Sequence, residues 1–173
     1  MKFEAEMDRD FLLAQRSKQL VLLLGSNIGD RHEYMQKALE SLTEAFGAPQ
    51  LLSAMYETEP WGNLDQNSFL NQAVVFESNQ KPLVALDTVL HIEQELGRKR
   101  EIKWGPRVID IDIIFYGNLV YQSDVLEIPH PYVQDRMFVL DPLCDIIPDF
   151  IHPLLEKSVQ ELRSELKVKE ANA

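Results

Sequence analysis

Lys103-Trp104-Gly105-Pro106-Arg107-Val108-Ile109-Asp110-Ile111-Asp112-Ile113-Ile114 sets two carboxylates two residues apart in an apolar, β-branched run, directly after a Trp-Gly-Pro-Arg turn. Side chains alternate faces along a strand, so Asp110 and Asp112 point one way while Ile109, Ile111 and Ile113 point the other. Two like charges about 7 Å apart on a half-buried face repel unless a cation sits between them. An isolated Asp-x-Asp strand reads most simply as an edge with a wet polar face. The neighbouring Trp104, Arg107 and upstream basic residues reverse that reading here. Hard divalent ions take carboxylate and phosphate oxygens together, so the stretch points to metal-assisted phosphate chemistry.

Charge supports this. The chain carries a net charge of −11, which opposes nonspecific binding to nucleic acid or anionic lipid. Against that background Arg98, Lys99, Arg100, Lys103 and Arg107 cluster around a single acid, Glu101. A compact positive patch on an acidic protein suits a small polyanion better than a polymer. The single cysteine, Cys144, excludes an internal disulfide framework and reads as an inert core thiol. No apolar run approaches the ~18 residues of a membrane span, and the acidic N-terminus does not resemble a secretory signal. A soluble, cytoplasmic protein without a nucleic-acid or membrane partner is expected.

Working outward from Asp110, periodicity predicts the remaining elements. Gln19 to Leu24 reads as a buried strand ending at Gly25-Ser26-Asn27, and apolar residues from Gly29 to Phe46 recur at helical spacing. Strands are predicted over roughly 50–58 and 69–77, separated by the long loop 59–68. A helix follows over 82–96, with Pro82 in its first turn and Gly97 at its end, and then the Asp-x-Asp strand over 108–116. That order, βαββαβ, predicts the α+β class: a ferredoxin-like core with an antiparallel sheet and helices on one face, the other face free for ligands or further elements. A C-terminal hairpin (119–128), a short helix near 137–144 and a last helix near 155–166 complete the reading. Residues 1–17 read as an extension, 18–166 as a single domain and 167–173 as a frayed tail.

Several further motifs have both a structural and a chemical reading. Gly25-Ser26-Asn27-Ile28-Gly29-Asp30 lacks a P-loop ending and reads as a strand-to-helix turn with an Asn or Asp cap. Trp61 and Phe69 could sandwich a flat heterocycle, and Asn71, both donor and acceptor, could read its edge. His130, set between prolines and followed by Arg136, is the one histidine suited to a phosphate. No Ser-His-Asp or Cys-His constellation is legible.

Taken together these residues resemble the hydroxymethyl-dihydropterin pyrophosphokinases of folate biosynthesis. The likeness runs from about Leu20 to Pro153. It is carried by the 103–114 stretch, Leu24-Gly25-Ser26-Asn27, Thr58-Glu59-Pro60-Trp61-Gly62, Phe69-Leu70-Asn71, Glu93 to Arg98, and Pro129-His130 leading to Arg136-Met137-Phe138. The resemblance implies a ferredoxin-like fold and transfer of pyrophosphate from ATP to a reduced pterin alcohol. By the same resemblance Asp110 and Asp112 would hold two Mg²⁺, with Arg98 and Arg107 joining them in catalysis. Glu93, Arg98, Arg100, Trp104, Arg107, His130 and Arg136 would contact ATP. Thr58, Trp61, Phe69, Asn71, Trp104 and Phe138 would form the pterin pocket. Pro131 and the shortened stretch 97–104 depart from some relatives, leaving the contacts of Arg100 open. A monomer is expected, with loops 59–68 and 97–106 closing over the substrates. Two rivals stay open: a nucleotidyltransferase, which also combines a Gly-Ser turn with paired aspartates, and a non-enzymatic sensor on the same fold.

Overall fold

The computed structural model describes residues 19–60, 65–99 and 106–173. Its centre is β1 (Gln19–Ser26), whose side chains are almost all buried. β1 pairs antiparallel with β4 (Phe69–Glu77) on one side and β5 (Asp110–Tyr116) on the other. Beyond β4 lies an edge in two pieces, β2 (Leu51–Leu52) and β3 (Tyr56–Thr58), both antiparallel to β4. The sequence predicts one continuous strand over 50–58. Ser53 interrupts it: its hydroxyl accepts the Ala73 N–H at 2.9 Å and donates to the Ala54 carbonyl at 2.7 Å. A side chain thus stands in for part of the backbone ladder, as short polar residues can do.

The continuous apolar run of β1 reflects a sheet buried on both faces. One face packs Leu20, Leu22, Leu24, Ile109, Ile111 and Ile113 beneath α1 (Arg31–Phe46) and α2 (Pro82–Glu95). The Asp30 carboxylate caps α1 by accepting the Glu33 N–H at 3.0 Å, and Pro82 opens α2, as the sequence predicts. The opposite face packs Val21, Leu23, Ala73, Val75, Ile114 and Phe115 against α3 (Met137–Ile146) and α4 (Val159–Ala171). A one-residue bulge in β5 puts both Ile114 and Phe115 on this second face. The second face thus carries further elements, the two C-terminal helices, which cover much of it. They leave uncovered the end that carries Gly25, Asn71, Asp110 and Asp112.

Two short strands, β6 (Tyr121–Gln122) and β7 (Glu127–Ile128), pair antiparallel after β5. The last helix starts and ends later than periodicity predicts. Ser158 and Glu161 form a reciprocal capping box that fixes its start at Val159. It then runs through good helix formers to Ala171, so most of the tail predicted to fray is helical. Among the described residues no helix is long and apolar enough to cross a membrane.

Candidate active site

Strand register builds the floor of the site. Gly25 of β1 lies opposite Asn71 on β4 and Asp110 on β5, and Leu23 lies opposite Asp112. A side chain at position 25 would bring its Cβ within 3.2 Å of the Asn71 Oδ1. Glycine there leaves the middle strand bare between an amide and a carboxylate, and a cavity of about 280 Å³ opens above it. Thr58, Phe69, Asn71 and Phe138 line the cavity together with Asp110, Asp112, Arg107, His130 and Arg136. The aromatic and amide residues thus share one space with the carboxylates and cations. Asn71 is buried and donates from Nδ2 to the Thr58 hydroxyl at 2.8 Å, which fixes the plane of its amide.

The carboxylates sit in an ion network. Asp110 takes Arg98 Nη1 on one oxygen at 2.7 Å and Arg107 Nη1 on the other at 2.6 Å. Arg98 also pairs with Glu93, whose second oxygen accepts the Ile111 N–H at 2.7 Å. Glu93 is almost wholly buried, on α2 behind the strand. Its burial, and then the nearby Asp110 charge, push its carboxyl up to about 7. Asp112 is pushed up to about 8, first by removal from bulk water and then by Asp110 and Glu93, with Arg107 and Arg136 opposing. Burial and the Arg136 charge pull His130 down to about 4. It is therefore neutral near pH 7, with Nδ1 accepting the Tyr132 N–H at 3.3 Å, which leaves Nε2 to carry the proton. Any phosphate contact from His130 is thus made by a neutral donor in this state.

Glu93 and Arg98 lie in an adjoining groove that shares Arg107, Asp110, Asp112 and His130 with the cavity and adds the apolar Leu86, Leu90 and Leu126. Trp61, Arg100 and Trp104 lie outside the described residues, as do parts of the two loops expected to close over the substrates. Among the described residues no group of three or more His, Cys, Asp or Glu is placed to hold a metal. The two aspartates nevertheless suit a magnesium ion, which takes one or two protein carboxylates and completes its shell with water and phosphate oxygens. Burial is the main cause of the upward push on Asp112, and a bound dication would oppose it.

Sequence reasoning missed Asn27, which it read only as a turn residue. Asn27 is fully buried. Its Oδ1 accepts the Arg107 N–H at 2.8 Å and its own N–H donates to the Arg107 carbonyl at 3.1 Å. Its Nδ2 donates to Gln66 Oε1 at 3.0 Å and to the Asn67 carbonyl at 3.3 Å. One amide thereby ties the end of β1 to the lead-in of β5 and to the segment before β4. An Asn closing a buried strand needs partners for every polar atom, and that was the available signal. Tyr132 also lines the cavity unforeseen.

Residues 21–148 match the family described as "7,8-dihydro-6-hydroxymethylpterin-pyrophosphokinase (HPPK)". A 2-amino-4-hydroxy-6-hydroxymethyldihydropteridine pyrophosphokinase of Aquifex aeolicus is 40% identical over 146 residues, 84% of this chain and 91% of that protein. Folic acid synthesis protein fol1 of Schizosaccharomyces pombe is 44% identical over 152 residues, covering 87% of this chain but only 21% of that protein. Among solved structures, wild-type HPPK-DHPS of Plasmodium falciparum superposes with a TM-score of 0.71 at 18% identity, covering 88% of this chain and 46% of that one. At that identity the superposition speaks for the fold alone. With a family match spanning the sheet and helices α1 to α3, and relatives of nearly the same length, this chain belongs to the 7,8-dihydro-6-hydroxymethylpterin-pyrophosphokinase family.

Proposed function

We infer that this cavity transfers pyrophosphate from ATP to the hydroxymethyl group of 6-hydroxymethyl-7,8-dihydropterin, a step of folate synthesis. The pterin alcohol oxygen attacks the β-phosphorus of ATP; the bond from that phosphorus to the α-phosphate oxygen breaks, and AMP leaves. The single observation that carries the reading is the meeting, in one cavity, of the Asn71–Thr58 amide and hydroxyl pair with Asp110, Asp112 and two arginines.

The division of labour follows from residue chemistry. Asn71 and Thr58 read the edge of the pterin, whose flat ring stacks on Phe69 and Phe138, with Trp61 and Trp104 joining from the neighbouring loops. Arg98, Arg107, His130 and Arg136 receive phosphate oxygens, with Arg100 beside them. The groove with Leu86, Leu90 and Leu126 takes the remainder of the nucleotide near Glu93. Asp110 and Asp112 hold two Mg²⁺, which when bound neutralise the phosphates and lower the charge barrier to attack. Transfer of this kind depends mainly on positioning and electrostatics, so the site functions without a conspicuous general base. We further read the strand order β5-β1-β4 and edge as ferredoxin-like, residues 18–166 as one domain, and the protein as a cytoplasmic monomer.

Incubation with ATP, Mg²⁺ and the reduced pterin alcohol, followed by nucleotide chromatography, tests this. AMP with a pterin diphosphate is the expected outcome. Released inorganic pyrophosphate would instead indicate nucleotidyl transfer, and an absence of turnover would indicate a sensor.

A further inference from the structure

Tyr132 stands apart from every residue assigned above, yet it faces the same cavity as Asp110, Asp112 and Arg136. Its backbone is fixed on both sides. The N–H donates to His130 Nδ1 at 3.3 Å, and the carbonyl accepts the Asp135 N–H at 3.2 Å in the single 3₁₀ turn Val133–Asp135. The side chain is 50% exposed, so core packing does not account for a ring in this place. What it touches is informative. Arg136 Cζ lies 4.7 Å over the Tyr132 ring centroid and 5.7 Å over that of Phe138.

A guanidinium carries its N–H donors in its plane, around the edge. An aromatic ring over its face attracts the charge without consuming those donors. It also fixes the plane of a long side chain that would otherwise lose rotamer freedom when a ligand binds. We propose that Tyr132 is a positioning residue for phosphate capture: its ring holds the Arg136 guanidinium flat, so that the donor-bearing edge meets ATP oxygens already oriented. The phenolic hydroxyl has no part in this. The proposal rests on the reading of Arg136 as a phosphate contact.

Steady-state kinetics on the full chain test it, with Tyr132→Ala, Tyr132→Leu, Tyr132→Phe, Arg136→Ala and the Tyr132→Ala/Arg136→Ala double variant. Loss of a cation–π contact predicts that Tyr132→Ala raises KM for ATP about threefold to thirtyfold. KM for the pterin stays unchanged. Tyr132→Leu keeps the bulk without the π face and behaves like the alanine variant, which guards against a folding defect. Tyr132→Phe retains wild-type KM. With Arg136 already removed, removing Tyr132 has no further effect. Equal damage from phenylalanine and alanine, or independent effects in the double variant, would overturn the proposal. If Arg136→Ala weakens ATP but Tyr132→Ala does not, the phosphate role of Arg136 stands and only the role of Tyr132 falls. If Arg136→Ala leaves KM for ATP unchanged, both fall.

Discussion

Asp110 and Asp112 sit on one strand face but in different states. Asp110 is gripped on both oxygens by guanidinium groups, whereas Asp112, pushed up to about 8, has no such grip among the described residues. A bound dication would draw on both. Asp110→Asn and Asp112→Asn are each expected to lower turnover by about 10²-fold or more, as loss of a principal electrostatic element does. Near-normal rates in both variants, measured with saturating ATP and pterin, would remove the metal assignment. Another buried group, away from the site, also couples stability to pH. His152 is buried, its Nδ1 accepts the N–H groups of Leu154 and Leu155, each at 3.2 Å, and burial lowers its pKa from the ordinary 6.5. Below pH 6.5 the unfolded chain therefore takes up a proton at His152 that the folded chain refuses, so this residue's contribution lowers stability as pH falls; His130 acts in the same sense, and Glu93 and Asp112, pushed up in the fold, in the opposite one. His152→Gln should remove this contribution, so that urea unfolding between neutral and mildly acidic pH shows less loss of stability on acidification than in wild type. A slope unchanged from wild type would show that His152 does not carry it.

At the scale of elements, much was legible because the signals were local. Alternation along β5 put the isoleucines into the core and the aspartates over the cavity, and Asp30 and Pro82 marked the two helix starts. What escaped depended on distant partners. The Ser53 interruption needs Ala73, 20 positions away, and Asn27 finds its partners 39, 40 and 80 positions away. The covering of the second face needed the packing of α3 and α4, which no single-segment period reveals. The pterin and phosphate sets came from family resemblance, and strand register explains why Thr58, Phe69, Asn71, Asp110 and Asp112 come together. Asn27→Ala strips a buried acceptor from the Arg107 N–H. It should cost roughly 1–3 kcal/mol, the usual penalty for leaving such a group unsatisfied. A urea midpoint equal to wild type would show that Asn27 does not join these elements.

On the scale of the whole molecule, an acidic chain of net charge −11 sets Arg107 and Arg136 beside Asp110 and Asp112 in one cavity, at the end of a sheet packed on both faces by helices. Phosphate oxygens would meet Arg107 and Arg136 there, and a bound dication would offset the carboxylates beside them. Metal removal tests the electrostatics as a unit. A chelator in excess of Mg²⁺ should abolish pyrophosphate transfer, and added Mg²⁺ should restore it, with circular dichroism unchanged throughout. Transfer that persists in the chelator would contradict a metal-dependent site. The most direct test is a crystal structure of the chain with Mg²⁺, a nonhydrolysable ATP analogue and the pterin alcohol. The account predicts magnesium bound by carboxylate oxygens of both Asp110 and Asp112 at roughly 2.0–2.1 Å, with phosphate oxygens completing the shell and the pterin edge against Asn71. Ordered nucleotide with both carboxylates far from any metal, still turned to arginine, would contradict it.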